Sequence, residues 1–226
     1  MRGDDPIRVR LRQQTHRLIA SRWPTIGVFD GLVSAEDAEA AMQLEMLTNG
    51  RHRAENRLPK EQLVFGKTGA SIINAAFIHT DERGGRFSGP GAGAWYCAFS
   101  IETAIRETVH HHTRRLACSA AGFHQTIQMR QLVSRPSASF HDIRGRQGEL
   151  AVLYDRDSYA ASQVFADRLR TAGSPGIVYD SVRHDGGTCL AVFDPWLLPP
   201  IVQGDHYQYV WTGRPEPDVS KLTAIN

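Results

Sequence analysis

Lysine is nearly absent, cysteine is scarce, and no long apolar run interrupts the chain. No stretch approaches the roughly 18 uninterrupted apolar residues that a membrane helix requires. The start, Met1 to Arg12, is charged and has no apolar core of the kind a secretory signal carries. Together these absences predict a cytoplasmic protein. Cys97, Cys118 and Cys189 are odd in number and lack metal-type spacing, so small buried thiols in a reducing compartment are expected. No internal repeat or low-complexity tract is present.

Charge is also small. A formal net charge of +2 gives no reason to expect direct nucleic-acid binding. Basic residues gather at Arg2 to Arg17 and at Arg51 to Lys60, where solvated surface is the simpler reading. Lysine is confined to Lys60, Lys67 and Lys221, so arginine carries nearly all the positive charge. A guanidinium fork suits bidentate phosphate contacts, although a GC-rich genome biases composition the same way.

What is present fits one globular core: 226 residues, 41% of them hydrophobic. Ser34 opens a predicted helix running to about Leu47, with Glu36 and Asp37 at the positive end of its dipole. Ser71 to His79 reads as a buried strand, and Asp81 to Pro90 as a turn-rich loop. Trp95 to Phe99 alternates like a strand, and Ser100 then caps a helix through about His112. Further strands are predicted at Ile127 to Val133 and Leu150 to Tyr154, and a helix at Asp157 to Thr171. Ile177 to Val182 and Thr188 to Phe193 form a predicted hairpin across His184-Asp185-Gly186-Gly187. Strands outnumber helices without regular alternation, which predicts an α+β domain around a mixed sheet.

Three constellations are candidates for chemistry. The glycine run Gly89 to Ala94 precedes a strand, whereas a dinucleotide fingerprint follows one and opens a helix, so it reads as a plain loop. His110, His111 and His112 point about 100° apart on a helix and do not converge on one metal. A polar helix end is the simpler reading, and no metal site is expected. The third is the segment from Arg86 through Tyr96 to Glu107. A loop–strand–helix path brings the three near one end of a strand. Glu107 borders the apolar stripe of Ile101, Ala104, Ile105, Thr108 and Val109, but Glu102 borders its other side. Periodicity does not choose between the two carboxylates.

The stretches GGRFSGPGAGAWYCAFSIETAIRETVHHH and GIVYDSVRHDGGTCLAVFDP resemble the RES domain family. THRLIASRWPTIGVFD, GASIINAAFIHTDERGGRFS and GDHYQYVW extend the likeness over about residues 15–211. That range is the expected RES domain, flanked by an extension at 1–14 and a tail at 212–226. The resemblance implies a fold similar to ADP-ribosyltransferases. It places the family's arginine on Arg86, its tyrosine on Tyr96, its glutamate on Glu107 and its serine on Ser181. An additional N-terminal arginine falls on Arg17, preceded here by His16 where the family usually has an aromatic residue.

The implied activity is phosphorolysis of NAD⁺ to nicotinamide and ADP-ribose 1″-phosphate by a toxin. NAD⁺ is then the substrate and phosphate the co-substrate, with no further cofactor. The implied partner is an Xre-type helix-turn-helix antitoxin in a hetero-oligomer. Mono-ADP-ribosyl transfer to protein and NAD⁺ hydrolysis are the alternatives, with an inactive binding module as a third. In this scheme Glu107 stabilises the oxocarbenium-like ribose, and Arg86 and Arg17 hold phosphates. Tyr96 binds near the nicotinamide, and Ser181 orients Glu107 or binds ribose.

Overall fold

The computed structural model describes residues 7–20, 63–120 and 122–223. Within them lie nine strands: β1 (Arg8–Leu11), β2 (Thr15–Ala20), β3 (Trp95–Ala98), β4 (His124–Ser134), β5 (Ala138–Asp142), β6 (Gly176–Asp180), β7 (Thr188–Val192), β8 (Val202–Thr212) and β9 (Asp218–Leu222). Three α-helices accompany them: α1 (Ala70–Ile78), α2 (Ile101–Ala117) and α3 (Ala160–Thr171). The strands form one sheet in the order β1-β5-β6-β7-β3-β2-β4-β8-β9. Pairing is antiparallel except between β5 and β6, so the sheet is mixed and the domain is α+β. No helix among the described residues is long and apolar enough to cross a membrane.

The central strands are buried on both faces, and successive side chains therefore enter different cores. Trp95 and Cys97 of β3 pack on one face with Ile73 and Phe77 of α1. Ala98 enters the other core with Ala104 and Leu116 of α2 and with Ala166 and Leu169 of α3, and Tyr96 packs against it. In β6, Val178 joins the α1 side while Ile177 and Tyr179 face α2 and α3. Each large side chain buried this way stabilises the fold by about 1.5–3 kcal/mol. Helix α1 thus covers one face and helices α2 and α3 the other.

Several elements differ from expectation. Residues 71–78 are helical as part of α1, with His79 just past its end, not a strand. A run apolar on every side has no period to read, and here α1 is packed against the sheet. Asn74 decides its placement: its side chain accepts from the Val64 N–H and donates to the Val64 carbonyl, both at 2.9 Å. Residues 151–154 form a short 3-10 turn instead of a strand. Tyr154 there donates to the Ile143 carbonyl at 2.6 Å, an anchor that no local pattern encodes. Helix α2 continues to Ala117, so His110 to His112 lie inside it and Arg114 and Arg115 occupy its last turn. Strands β1 and β9 join the sheet from either side of residues 15–211. The predicted helix at 34–47 and the basic run at 51–60 lie outside the described residues.

The glycine run before β3 serves close packing. A Cβ on Gly93 would sit 2.2 Å from the Phe77 Cα and 2.4 Å from its carbonyl oxygen. Only glycine lets the chain pass against α1 at this point. Gly93→Ala is expected to destabilise the protein by about 1–3 kcal/mol through overpacking. The check is a urea unfolding midpoint, and an unchanged midpoint would contradict the close approach.

Candidate active site

The site forms where the N-terminal half of α2 meets the turn between β6 and β7. Ser100 caps α2, its Oγ accepting from the Thr103 N–H at 3.1 Å. Thr103 Oγ1 lies 2.9 Å from His184 Nδ1, which ties the turn to the helix start. Farther along, Thr108 contacts the Tyr209 hydroxyl at 2.9 Å and fixes the rotation of α2 against β8. That rotation turns Glu107 toward the sheet and leaves Glu102 exposed. An open cleft of about 230 Å³ lies one turn earlier on the helix, between Ser100, Thr103 and residues 184–188.

Ser181 directly follows β6. Its Oγ accepts the N–H groups of Arg183 at 3.0 Å and His184 at 3.1 Å. Its own proton is donated to Glu107 Oε1 at 2.5 Å. The two backbone donors occupy the hydroxyl's lone pairs, so the bond to the carboxylate has one possible direction. Buried Cys189 of β7 also approaches Oε1, with Sγ at 3.9 Å. Both of these contacts fall on Oε1.

Arg86 reaches the same side of the sheet from the loop before β3. Residues 85–88 close a tight turn, with the Gly85 N–H donating to the Ser88 carbonyl at 2.8 Å. The Tyr96 hydroxyl accepts from the Phe87 N–H at 2.9 Å and shares a hydrogen bond with Ser88 Oγ at 2.9 Å. Burial pushes the Tyr96 hydroxyl's pKa up, so it stays protonated. Helix α3 grips the loop from the outside: Gln163 donates to the carbonyls of Arg83 and Gly85, and Arg170 to that of Gly93 at 2.9 Å. Held this way, the buried Arg86 donates Nη1 to the Leu153 carbonyl at 2.8 Å and stacks 4.8 Å over the Tyr159 ring. Its Nη2 is buried with no hydrogen-bond partner among the described residues.

Tyr179 of β6 links the two halves electrostatically, because Arg86, Tyr96, Glu107 and Cys189 all act on its hydroxyl. Arg86, Tyr96, Glu107 and Ser181 are therefore brought to one face of the sheet. Arg17 is not. On β2, His16 pairs with Ala98, so Arg17 lies on the Trp95 and Cys97 side. There its guanidinium stacks 4.8 Å over Trp95 and donates to the Tyr96 carbonyl at 2.9 Å. Burial lowers its pKa, against the opposing pull of Cys97 and Tyr96. The β2 residue on the Tyr96 face is His16, whose Nδ1 lies 2.7 Å from Gln131 Nε2.

The RES domain family profile matches residues 63–212. The chain belongs to the RES domain family. Arg86, Tyr96, Glu107 and Ser181 all fall inside the matched range, and Arg17 falls before it. A relative, the uncharacterized protein y4oC of Sinorhizobium fredii, is 28% identical over 211 residues, covering 91% of this chain and 86% of its own. Among solved structures, the crystal structure of the M. tuberculosis MbcT–MbcA toxin–antitoxin complex is similar at a TM-score of 0.46 and 11% identity. That likeness covers 87% of this chain and 86% of the other.

Around this RES-family site lie residues that the motif reading passed over. Tyr179 and Ser181 are two apart on one strand path and so share a face, a signal present in the sequence. Arg183 donates to the carbonyl of Arg156, joining the β6–β7 turn to the segment before α3. The guanidinium groups of Arg183, Arg114 and Arg156 act on His110, and Glu107 acts on the neighbouring His111 together with Arg183 and Arg114, so a basic rim lies near the carboxylate. Burial first, then Arg183 and its basic neighbours, lowers the His110 pKa to about 4. The cysteines divide: Cys97 and Cys189 are buried, and Cys118 at the end of α2 is exposed.

Two measurements test this geometry. Tyr96→Phe strips the Phe87 N–H of its acceptor and is expected to cost about 1–3 kcal/mol in urea unfolding. For His110, the folded pKa of about 4 lies below the ordinary 6.5, so the unfolded chain binds the proton first as pH falls. Stability is expected to be full above pH 6.5 and to decline toward pH 4. His110→Gln should flatten that decline in a pH series of melts, and an unaltered slope would refute the assignment.

Proposed function

We propose that this RES-family protein is a NAD⁺ phosphorylase acting as the toxin of a toxin–antitoxin pair. One observation supports the chemistry above all. Glu107 is held by Ser181 at 2.5 Å on the same sheet face that carries the buried Nη2 of Arg86, which has no partner among the described residues. A positioned carboxylate on one face with an open guanidinium suits a substrate that develops positive charge at one atom and carries phosphates elsewhere.

In NAD⁺ the nicotinamide is already a cationic leaving group. When its bond to ribose C1″ breaks, the electron pair goes to the ring nitrogen and neutralises it. C1″ is left oxocarbenium-like, and the carboxylate of Glu107 stabilises that charge. A phosphate oxygen then bonds to C1″, giving ADP-ribose 1″-phosphate. Arg86 offers Nη2 to an anionic oxygen of the substrate, and the basic rim around Arg183 favours the approaching phosphate. Ser181 acts through Glu107 and not as a nucleophile, because its proton and lone pairs are already committed. Tyr96 spends its hydroxyl on the Arg86 loop and offers its ring edge to the nicotinamide side. Arg17 supports β3 from behind in this scheme and does not touch substrate. No metal or further cofactor takes part, and an Xre-type antitoxin in the cytoplasm would silence the site.

The test is incubation of purified, antitoxin-free protein with NAD⁺, with and without inorganic phosphate, followed by mass analysis. Phosphate-dependent release of nicotinamide and ADP-ribose 1″-phosphate is expected. Free ADP-ribose, or ADP-ribose attached to protein, would replace phosphorolysis with hydrolysis or transfer. Intact NAD⁺ in every arm would refute the NAD⁺ reading. Glu107→Gln is expected to lower kcat by about 10²–10³-fold with the fold retained, the size typical of removing one transition-state electrostatic partner.

A further inference from the structure

Glu107 has two carboxylate oxygens, and the protein treats them differently. Oε1 receives the Ser181 hydroxyl at 2.5 Å and lies 3.9 Å from Cys189 Sγ, within reach of a sulfur hydrogen bond. Cys189 is fixed by its place on β7, where it pairs in register with Tyr179 of β6. Both side chains point to the α2 side and are only 2% and 5% exposed. Burial, reinforced by the Glu107 charge, pushes the Cys189 thiol well above its ordinary pKa, and burial does the same for Tyr179. The thiol therefore keeps its proton, and facing a carboxylate it donates: Cys189 S–H to Glu107 Oε1. Cys97 sits on the opposite face of the sheet, which leaves Cys189 no disulfide partner there.

We propose that Cys189 is a positioning residue for Glu107, holding Oε1 together with Ser181 so that Oε2 faces the reacting ribose carbon. A thiol suits this place because it packs as a small buried group while still donating a weak hydrogen bond. The role of this contact in turnover rests on the NAD⁺ reading; the hydrogen bond itself does not.

The two can be tested apart. The S–H stretching band of Cys189, assigned by its loss in Cys189→Ala, is followed by infrared difference spectroscopy. It is expected to shift to higher frequency in Glu107→Ala. This arm needs no substrate, so it decides the hydrogen bond even if NAD⁺ is not cleaved. In the kinetic arm, Cys189→Ala is expected to lower kcat for NAD⁺ about 3- to 10-fold with KM unchanged, the size of one hydrogen bond. Cys189→Ser should restore most of the loss, because a hydroxyl donates from the same place. A Cys189 band indifferent to Glu107→Ala overturns the contact. So does an unchanged kcat in Cys189→Ala when the wild type turns over NAD⁺. An unchanged KM in Cys189→Ala and recovery in Cys189→Ser separate lost positioning from a folding defect.

Discussion

The hydrogen bond from Ser181 to Glu107 is the contact on which the site depends. It joins a helix to a strand turn, and each side is held by interactions of its own. On the strand side, the backbone N–H groups of Arg183 and His184 saturate the serine oxygen and aim its proton. On the helix side, the Ser100 cap and the Thr108 contact to Tyr209 set the start and rotation of α2. A carboxylate placed this way loses little further freedom when a cationic transition state forms beside it, which is how preorganised electrostatics lower a barrier.

The second half of the site is built from the loop before β3. Tyr96 spends its hydroxyl on that loop: it caps the Phe87 N–H and meets Ser88, and so presents Arg86 inward. The arginine is satisfied at Nη1 and, among the described residues, left open at Nη2. An unpaired buried N–H is costly in isolation, and it becomes an asset when an anionic oxygen arrives. Helix α3, through Gln163 and Arg170, braces the loop from behind. The sheet thus separates two groups of side chains. Arg17 and Trp95 hold β3 from one face, while Arg86, Tyr96 and Glu107 occupy the other.

Much of this was legible in one dimension. Helix α2, its Ser100 cap, strand β3 and the β6–β7 hairpin follow from period and turn chemistry alone. The choice of Arg86, Tyr96, Glu107 and Ser181 came from family resemblance, because no periodicity separates Glu107 from Glu102. The misread elements share one cause. Residues 71–79 and 150–154 are short and largely apolar, and a buried helix, a 3-10 turn and a buried strand look alike there.

Local patterning therefore determined strands β3, β4, β6 and β7, the capped helix and the loop that carries Arg86. Tertiary structure alone decided three things. It turned Glu107 into the site and left Glu102 in solvent, because a contact 101 residues away in sequence, Thr108 to Tyr209, sets the rotation of α2. It placed Arg17 behind β3, because the β2–β3 register fixes which face each side chain takes. And it brought Cys189 up against Oε1, on the face that the β6–β7 pairing gives it. Period and capping are properties of neighbours along the chain, whereas facing and register are set only when distant strands meet.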